Sequence, residues 1–281
     1  MTISEYRNNL LSEINQSAEP LDEETKNLLA LAGDKEGIGN LINVINDETT
    51  SSEEKISAID SLNAVSNFSP ALRTKMPEMV NALRGQMSAD DEAIRYRAFA
   101  TLTAMKDEVA QERLLSELES GKKEQDKMVP TSMAISMLGT DEKALPGALL
   151  REIALNPPDT DSLIEAVRHM PGDPESFDVL KQIMEEDENP LEARAMIPEM
   201  INNVDPPAFL SAAREMLQSK GTDHDLAPSL AKGIAGITMP EAKPDVLETK
   251  AMVRDLMSSS PESFKTLANE ILFEKDESAD Q

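Results

Sequence analysis

Asp173-Pro-Glu-Ser-Phe177 and Asp205-Pro-Pro-Ala-Phe209 carry one pattern at two places in the chain. Each places a capping carboxylate first, then a proline, then an aromatic three positions on. A side-chain oxygen at the N-cap accepts from the free N–H groups of the first turn. Proline suits the first helical position, where its missing N–H costs nothing. Ser260-Pro-Glu-Ser-Phe264 repeats the theme with serine as the cap. The step from Asp173 to Asp205 is the length of one helical hairpin, so the chain reads as an array of such units.

The same punctuation recurs elsewhere. Capping boxes are expected at Thr2-x-x-Glu5 and Ser51-x-x-Glu54, and further proline starts at Ser69-Pro70 and Asn189-Pro190. Between the signals lie stretches with apolar residues at helical spacing. Phe264, Leu267, Ala268, Ile271 and Leu272 form one stripe, and Phe209, Ala212, Ala213, Met216 and Leu217 a second. Ile94, Ala98, Leu102 and Met105 form a third. About fourteen helices result, joined by short links. Longer echoes join Pro130 to Pro228 and Arg97-Ala98 to Arg194-Ala195, and Ala30-Leu31-Ala32-Gly33 reads as another helix end.

Composition agrees. The 281 residues include 16 Met but no Trp, 2 Tyr and 6 Phe, against the β-branched and aromatic enrichment of sheets. The expected fold class is all-α, an α-solenoid of stacked antiparallel helical hairpins. One repeat domain is expected over 1–273, with sub-blocks 1–88 and 89–273, followed by an acidic, disordered tail at 274–281.

The net charge is −26, from 53 acidic and 27 basic side chains. Phosphate binding needs Lys and Arg to displace counterions, so no nucleic acid is expected as a partner. An anionic membrane surface would repel the chain, and no apolar run of spanning length occurs. The absence of cysteine excludes disulfides, thiolate nucleophiles and Cys-held metals. Glu5, Arg7 and Glu13 break the N-terminal segment, so no signal peptide is read there and a cytoplasmic location is expected.

Asp91-Glu-Ala-Ile94-Arg95-Tyr-Arg97-Ala98-Phe-Ala100-Thr-Leu102 resembles the second half of a HEAT repeat. Lys55, Ala58 and Leu62 hold matching places in the earlier stretch from Ser51 to Leu62, and Arg194-Ala195 keeps part of the pattern. The resemblance covers about 90–220 and implies a right-handed stack of antiparallel helix pairs. It also implies that Asp91 and Arg95 bridge adjacent repeats, and that the chain binds a protein along one face. Fold does not fix function, so that last step is analogy.

Catalytic constellations are sparse. His169 precedes Pro171-Gly172 at a helix end, where an imidazole is favourable anyway. His224 lies in Asp223-His224-Asp225, a weak metal triplet, since ligands normally come from several elements. No His-Glu dipeptide occurs, unlike the HEAT-like iron hydroxylases. Gly37-Ile-Gly39 and Gly233-Ile-Ala-Gly236 lack the lysine and the strand of a phosphate loop, so helix packing is expected of them, with Lys232 inside the second helix. Asp90-Asp91-Glu92, Glu185-Glu186-Asp187-Glu188 and Glu274 to Asp280 do not fit a calcium loop and read as helix starts, loop and tail. Met128, Met133, Met137, Met184, Met196 and Met200 fall on helical stripes and are read as core, although methionine also suits adaptable binding surfaces.

No catalytic, cofactor-binding or metal residue is nominated, and no cofactor is expected. The leading expectation is a monomeric, non-enzymatic scaffold or adaptor whose partner is a protein of basic character. Two alternatives stay open: a HEAT-like enzyme or chromophore-handling factor similar to bilin lyases, and an acidic mimic of nucleic acid that blocks a basic partner.

Overall fold

The computed structural model describes residues 34–66, 69–141 and 143–273. All regular structure among the described residues is helical: fourteen α-helices, three 3-10 turns and one π-turn. No helix there is long and apolar enough to cross a membrane. The readings at Thr2 to Glu5, at Ala30 to Gly33 and over 274–281 lie outside the described residues. The chain divides into two compact units, Met1–Glu112 and Arg113–Gln281.

The first unit contains α1 (Lys35–Asn46), α2 (Ser52–Val65), α3 (Pro70–Gln86) and α4 (Glu92–Ala104). The division falls inside α5 (Glu108–Glu119). Caps set the starts. Asp34 accepts from Glu36 N–H at 3.0 Å, and Ser69 from Leu72 N–H at 3.0 Å ahead of Pro70. The Ser51 box is complete, with Glu54 N–H on Ser51 Oγ and Ser51 N–H on the Glu54 carboxylate. Helix α1 packs on α2 and α3, α3 on α4, and α2 on α4. Ile38, Ile42, Leu62, Leu83 and Phe99 are buried there.

The second unit continues with α6 (Thr131–Leu138), α7 (Gly147–Leu155), α8 (Thr160–His169) and α9 (Pro174–Glu185). Then follow α10 (Leu191–Ile201), α11 (Pro206–Lys220), α12 (Ala227–Ala235), α13 (Lys243–Leu256) and α14 (Glu262–Ala268), closed by the π-turn Asn269–Phe273. Consecutive helices pair as α7 with α8, α9 with α10, and α11 with α12. Beyond that, each helix packs on the next but one. One series runs α6, α8, α10, α12 and α14; the other runs α7, α9, α11 and α13.

The buried positions of the even series repeat with the hairpin. They are Thr131, Ala134, Ile135 and Leu138 on α6, then Leu163, Ala166, Val167 and Met170 from α8. Arg194, Ile197, Pro198 and Ile201 follow on α10, and Ala227, Leu230, Ala231 and Ile234 on α12. The first members, Thr131, Leu163, Arg194 and Ala227, are almost evenly spaced along the chain, one hairpin apart each time. Steps of three, one and three positions within each set put one stripe on a helix, so each helix offers the same face to the core.

Two proline starts are shifted by one position. Pro190 and Pro261 are extended N-caps rather than first helical residues. The cause is that the preceding polar side chains are engaged elsewhere. Asn189 Nδ2 donates to Ile183 O at 3.2 Å. Ser260 Oγ accepts from Thr222 Oγ1 at 2.6 Å and donates to Leu256 O at 2.9 Å. Asp173 and Asp205 do cap their helices, with Pro174 and Pro206 in the first turn.

The internal register also differs. By burial, Arg194 corresponds to Arg95 and Lys55, not to Arg97. Lys55, Ala58, Ile59 and Leu62 follow the same stripe, as do Arg95, Ala98, Phe99 and Leu102 with Arg95 half-buried. Arg95 Nη1 donates to Ala89 O at 2.6 Å, and Arg194 Nε to Met184 O at 3.0 Å. Both reach back to carbonyls at or just past the end of the preceding helix. Arg97 is instead exposed and pairs with Asp60 of α2 at 3.0 Å.

Candidate functional site

Helix α6 lacks a capping side chain of its own, because its N-cap is Pro130. A glutamate from upstream fills that place. Glu124, in the 3-10 turn Glu124–Asp126, accepts from Thr131 N–H through Oε1 and from Thr131 Oγ1–H through Oε2 at 2.7 Å. Lys127 Nζ donates to the same Thr131 Oγ1 at 2.6 Å and lies 3.4 Å from Glu124. The hydroxyl has one proton, and it goes to Glu124; its lone pair is held by the ammonium group. Thr131, the first residue of α6, is therefore held by Glu124 through both its N–H and its hydroxyl.

Behind it sits Glu117, on α5 and buried. Burial pushes its carboxyl up, but hydrogen bonds from Lys122 and Met128 N–H, with the charge of Arg113, hold it below the usual range. Lys122 Nζ lies 2.7 Å from Glu117 Oε1. Arg113 is turned to Met128 Sδ at 3.4 Å.

Lys122, Glu124, Lys127 and Thr131 stand on one side of a cleft of about 660 Å³ in the second unit. Leu118, Glu119, Lys122, Glu124, Lys127 and Thr131 line that side; Pro146, Leu149, Glu152, Ile153, Asn156 and Pro158 line the other. The volume lies in the usual range for ligand-sized clefts. Glu119 is the last residue of α5, and Glu152 stands in the last turn of α7. Neither helix has a basic residue in its last turn. Neither glutamate has a cationic partner among the described residues. The negative ends of two helices and two carboxylates thus converge on one cavity.

A second cluster centres on Asp187, between α9 and α10. Its Oδ1 accepts from Arg194 Nη2 at 2.6 Å and from Lys220 Nζ. His224 Nε2 lies 3.4 Å away, while His224 Nδ1 accepts from Leu226 N–H at 3.2 Å. The Lys220 hydrogen bond, and then the Arg194 one, hold the Asp187 carboxyl at about 2. This aspartate ties the α9–α10 link to the end of α11 and the loop beyond it. The run Glu185 to Glu188, read as a solvated loop, carries that tie.

The other sequence candidates take structural places. Asp91 caps α4 through Ala93 and Ile94 N–H and also hydrogen-bonds Ser52 at the start of α2. Arg95 donates to Ala89 O at 2.6 Å and Asp90 O at 3.3 Å and lies 3.8 Å from Glu92. His169 packs against Gly139 at the end of α6 and lies 3.5 Å from Glu165. Among the described residues no three His, Cys, Asp or Glu side chains are placed to hold a metal, so Asp223, His224 and Asp225 form no such site.

Gly233 does serve packing, but open space surrounds Gly39 in α1. Lys232 is exposed on α12. Met184 is core, whereas Met128, Met133, Met137, Met196 and Met200 are only half-buried. The cleft and the Asp187 cluster were not legible locally. Glu124 reaches forward past its own turn to Thr131, and Asp187 reaches Lys220 at the far end of another helix, both beyond any capping-box spacing. No family model matches the chain, and no curated protein does either.

Proposed function

We propose that the chain is a protein-interaction scaffold: a HEAT-like α-solenoid of stacked hairpins whose acidic surface receives a basic protein partner. The observation that carries this reading is the packing of the second unit. Each helix meets its hairpin mate and the next member of its own series, which is the nearest-neighbour logic of a helical repeat array. The near-even recurrence of one buried stripe, beginning at Thr131, Leu163, Arg194 and Ala227, supports it. Ion pairs join successive members as well. Arg151 of α7 meets Glu175 of α9 at 2.8 Å, Arg168 of α8 meets Glu192 of α10 at 2.9 Å, and Arg214 of α11 meets Glu248 of α13 at 3.4 Å.

Electrostatics supports the partner class. Many basic side chains are engaged in pairs of this kind, and the net charge of −26 remains on the surface. Such a field attracts cationic partners and repels nucleic acid. The test is affinity capture from a lysate of the source organism, washed at low and then high salt. One or two stoichiometric basic proteins, released by high salt, are the expected result. Capture of no protein at either salt would remove the reading.

A further inference from the structure

We propose that the cleft between the end of α5 and α7 is where this scaffold grips its partner, by taking up an arginine or lysine side chain from an extended basic segment. The inference rests on the scaffold reading above. Its local argument is that the charges in the cleft do not balance.

The two lysines that line it are already engaged. Lys122 is held by Glu117 at 2.7 Å, and Lys127 by the Thr131 and Glu124 pair. Glu119 and Glu152 remain without a cation among the described residues. In the lining, three carboxylates face two ammonium groups, and behind the wall Glu117 is matched by the charge of Arg113, so one negative charge is left over. The α5 and α7 ends add their negative dipole termini, with no basic residue in either last turn. A cation is favoured at such a terminus, and two of them here open on one space.

The walls fit the rest of a long basic side chain. Leu118, Leu149, Ile153, Pro146 and Pro158 offer apolar surface for its methylene stem. Lys and Arg bury their stems on such surface while the charged head finds polar partners. Asn156, the C-cap of α7, adds an exposed amide beside them. An anion finds the opposite: neutralised lysines and free carboxylates.

The experiment uses the full chain and a fluorescein-labelled twelve-residue peptide of alternating arginine and alanine, read by anisotropy at physiological salt. The control peptide replaces each arginine by neutral citrulline. One double variant, Glu119→Gln with Glu152→Gln, removes both cleft charges. A second, Asp178→Asn with Glu215→Gln, removes two exposed carboxylates outside the cleft lining. All four positions are exposed, so folding is retained, which circular dichroism checks. The cleft variant is expected to weaken arginine-peptide binding about tenfold and the control variant less than about twofold, tenfold being about 1.4 kcal/mol. Equal weakening by both double variants overturns the cleft while leaving the acidic scaffold standing. Equal binding of the citrulline peptide, or no binding of the arginine peptide, also overturns it. The scaffold reading itself fails separately, on an empty capture.

Discussion

Gly233 of α12 lies where three helices meet, and adding one methyl group there tests the packing directly. A Cβ at this position would stand 2.6 Å from Phe209 Cζ of α11, 2.8 Å from Pro198 Cβ and 3.0 Å from Pro198 O of α10. Phe209 is fully buried, and the Pro198 atoms belong to a rigid ring and to backbone, so neither neighbour can simply swing away. Overpacking of this kind costs about 1–3 kcal/mol. Helix propensity returns about 0.5–1 kcal/mol of that, because alanine loses less backbone entropy than glycine. Gly233→Ala is thus expected to destabilise by up to about 2.5 kcal/mol, or up to about 10 °C in Tm for a unit of this size. Gly39 of α1 is the matched control. It is also helical, but a Cβ there meets nothing within 4 Å, so Gly39→Ala is expected to stabilise by about 0.5–1 kcal/mol. Denaturant titration gives the signs, and amide exchange gives the reach. In a nearest-neighbour array, protection falls over α10 to α12 and is retained in α6 and α7. If both glycines respond with the same sign, close approach is not what distinguishes them, and the reasoning fails.

Ser162 is fully buried in the first turn of α8, and its hydroxyl has no hydrogen-bond partner among the described residues, so Ser162→Ala should stabilise by about 1 kcal/mol. A loss of stability in thermal melts would mean the hydroxyl is satisfied. Glu124→Ala removes the cap of α6 and should cost about 1–2 kcal/mol, with Glu124→Gln recovering part of it through its remaining acceptor; equal losses in the two variants would count against capping. The Asp187 carboxyl is held at about 2, below its ordinary 3.8, so its contribution is complete above pH 3.8 and disappears as pH falls through about 2. Asp187→Asn should therefore be less stable than the parent at pH 7, and the gap in urea midpoints should close between about pH 4 and pH 2. A gap that does not change with pH would refute the ion-pair account.

Local chemistry carries far in this chain. The Ser51 box, the Asp173 and Asp205 caps with their prolines, and the stripe from Phe209 to Leu217 were all readable, because each depends on residues within a few positions of one another. Helical class followed from the same signals. The shifted starts at Pro190 and Pro261 were not readable. Asn189 and Ser260 look like caps, but each finds a hydrogen-bond partner outside its own helix start, one of them on the distant Thr222. The equivalence of Arg95 with Arg194 was hidden for a related reason. Arg97-Ala98 and Arg194-Ala195 match in letters, but only burial shows which arginine turns inward.

The sequence by itself determined that this protein is helical, where many of its helices begin, and that its surface carries a large excess of negative charge. Tertiary structure alone decided which of those charges are answered. Lys122 and Lys127 find carboxylates, Asp187 gathers Arg194 and Lys220, and Glu119 and Glu152 are left facing a cleft. The Asp187–Lys220 pair and the meeting of Glu119 with Glu152 at one cleft depend on distances between separate helices, whereas helical periodicity orders only the residues within one.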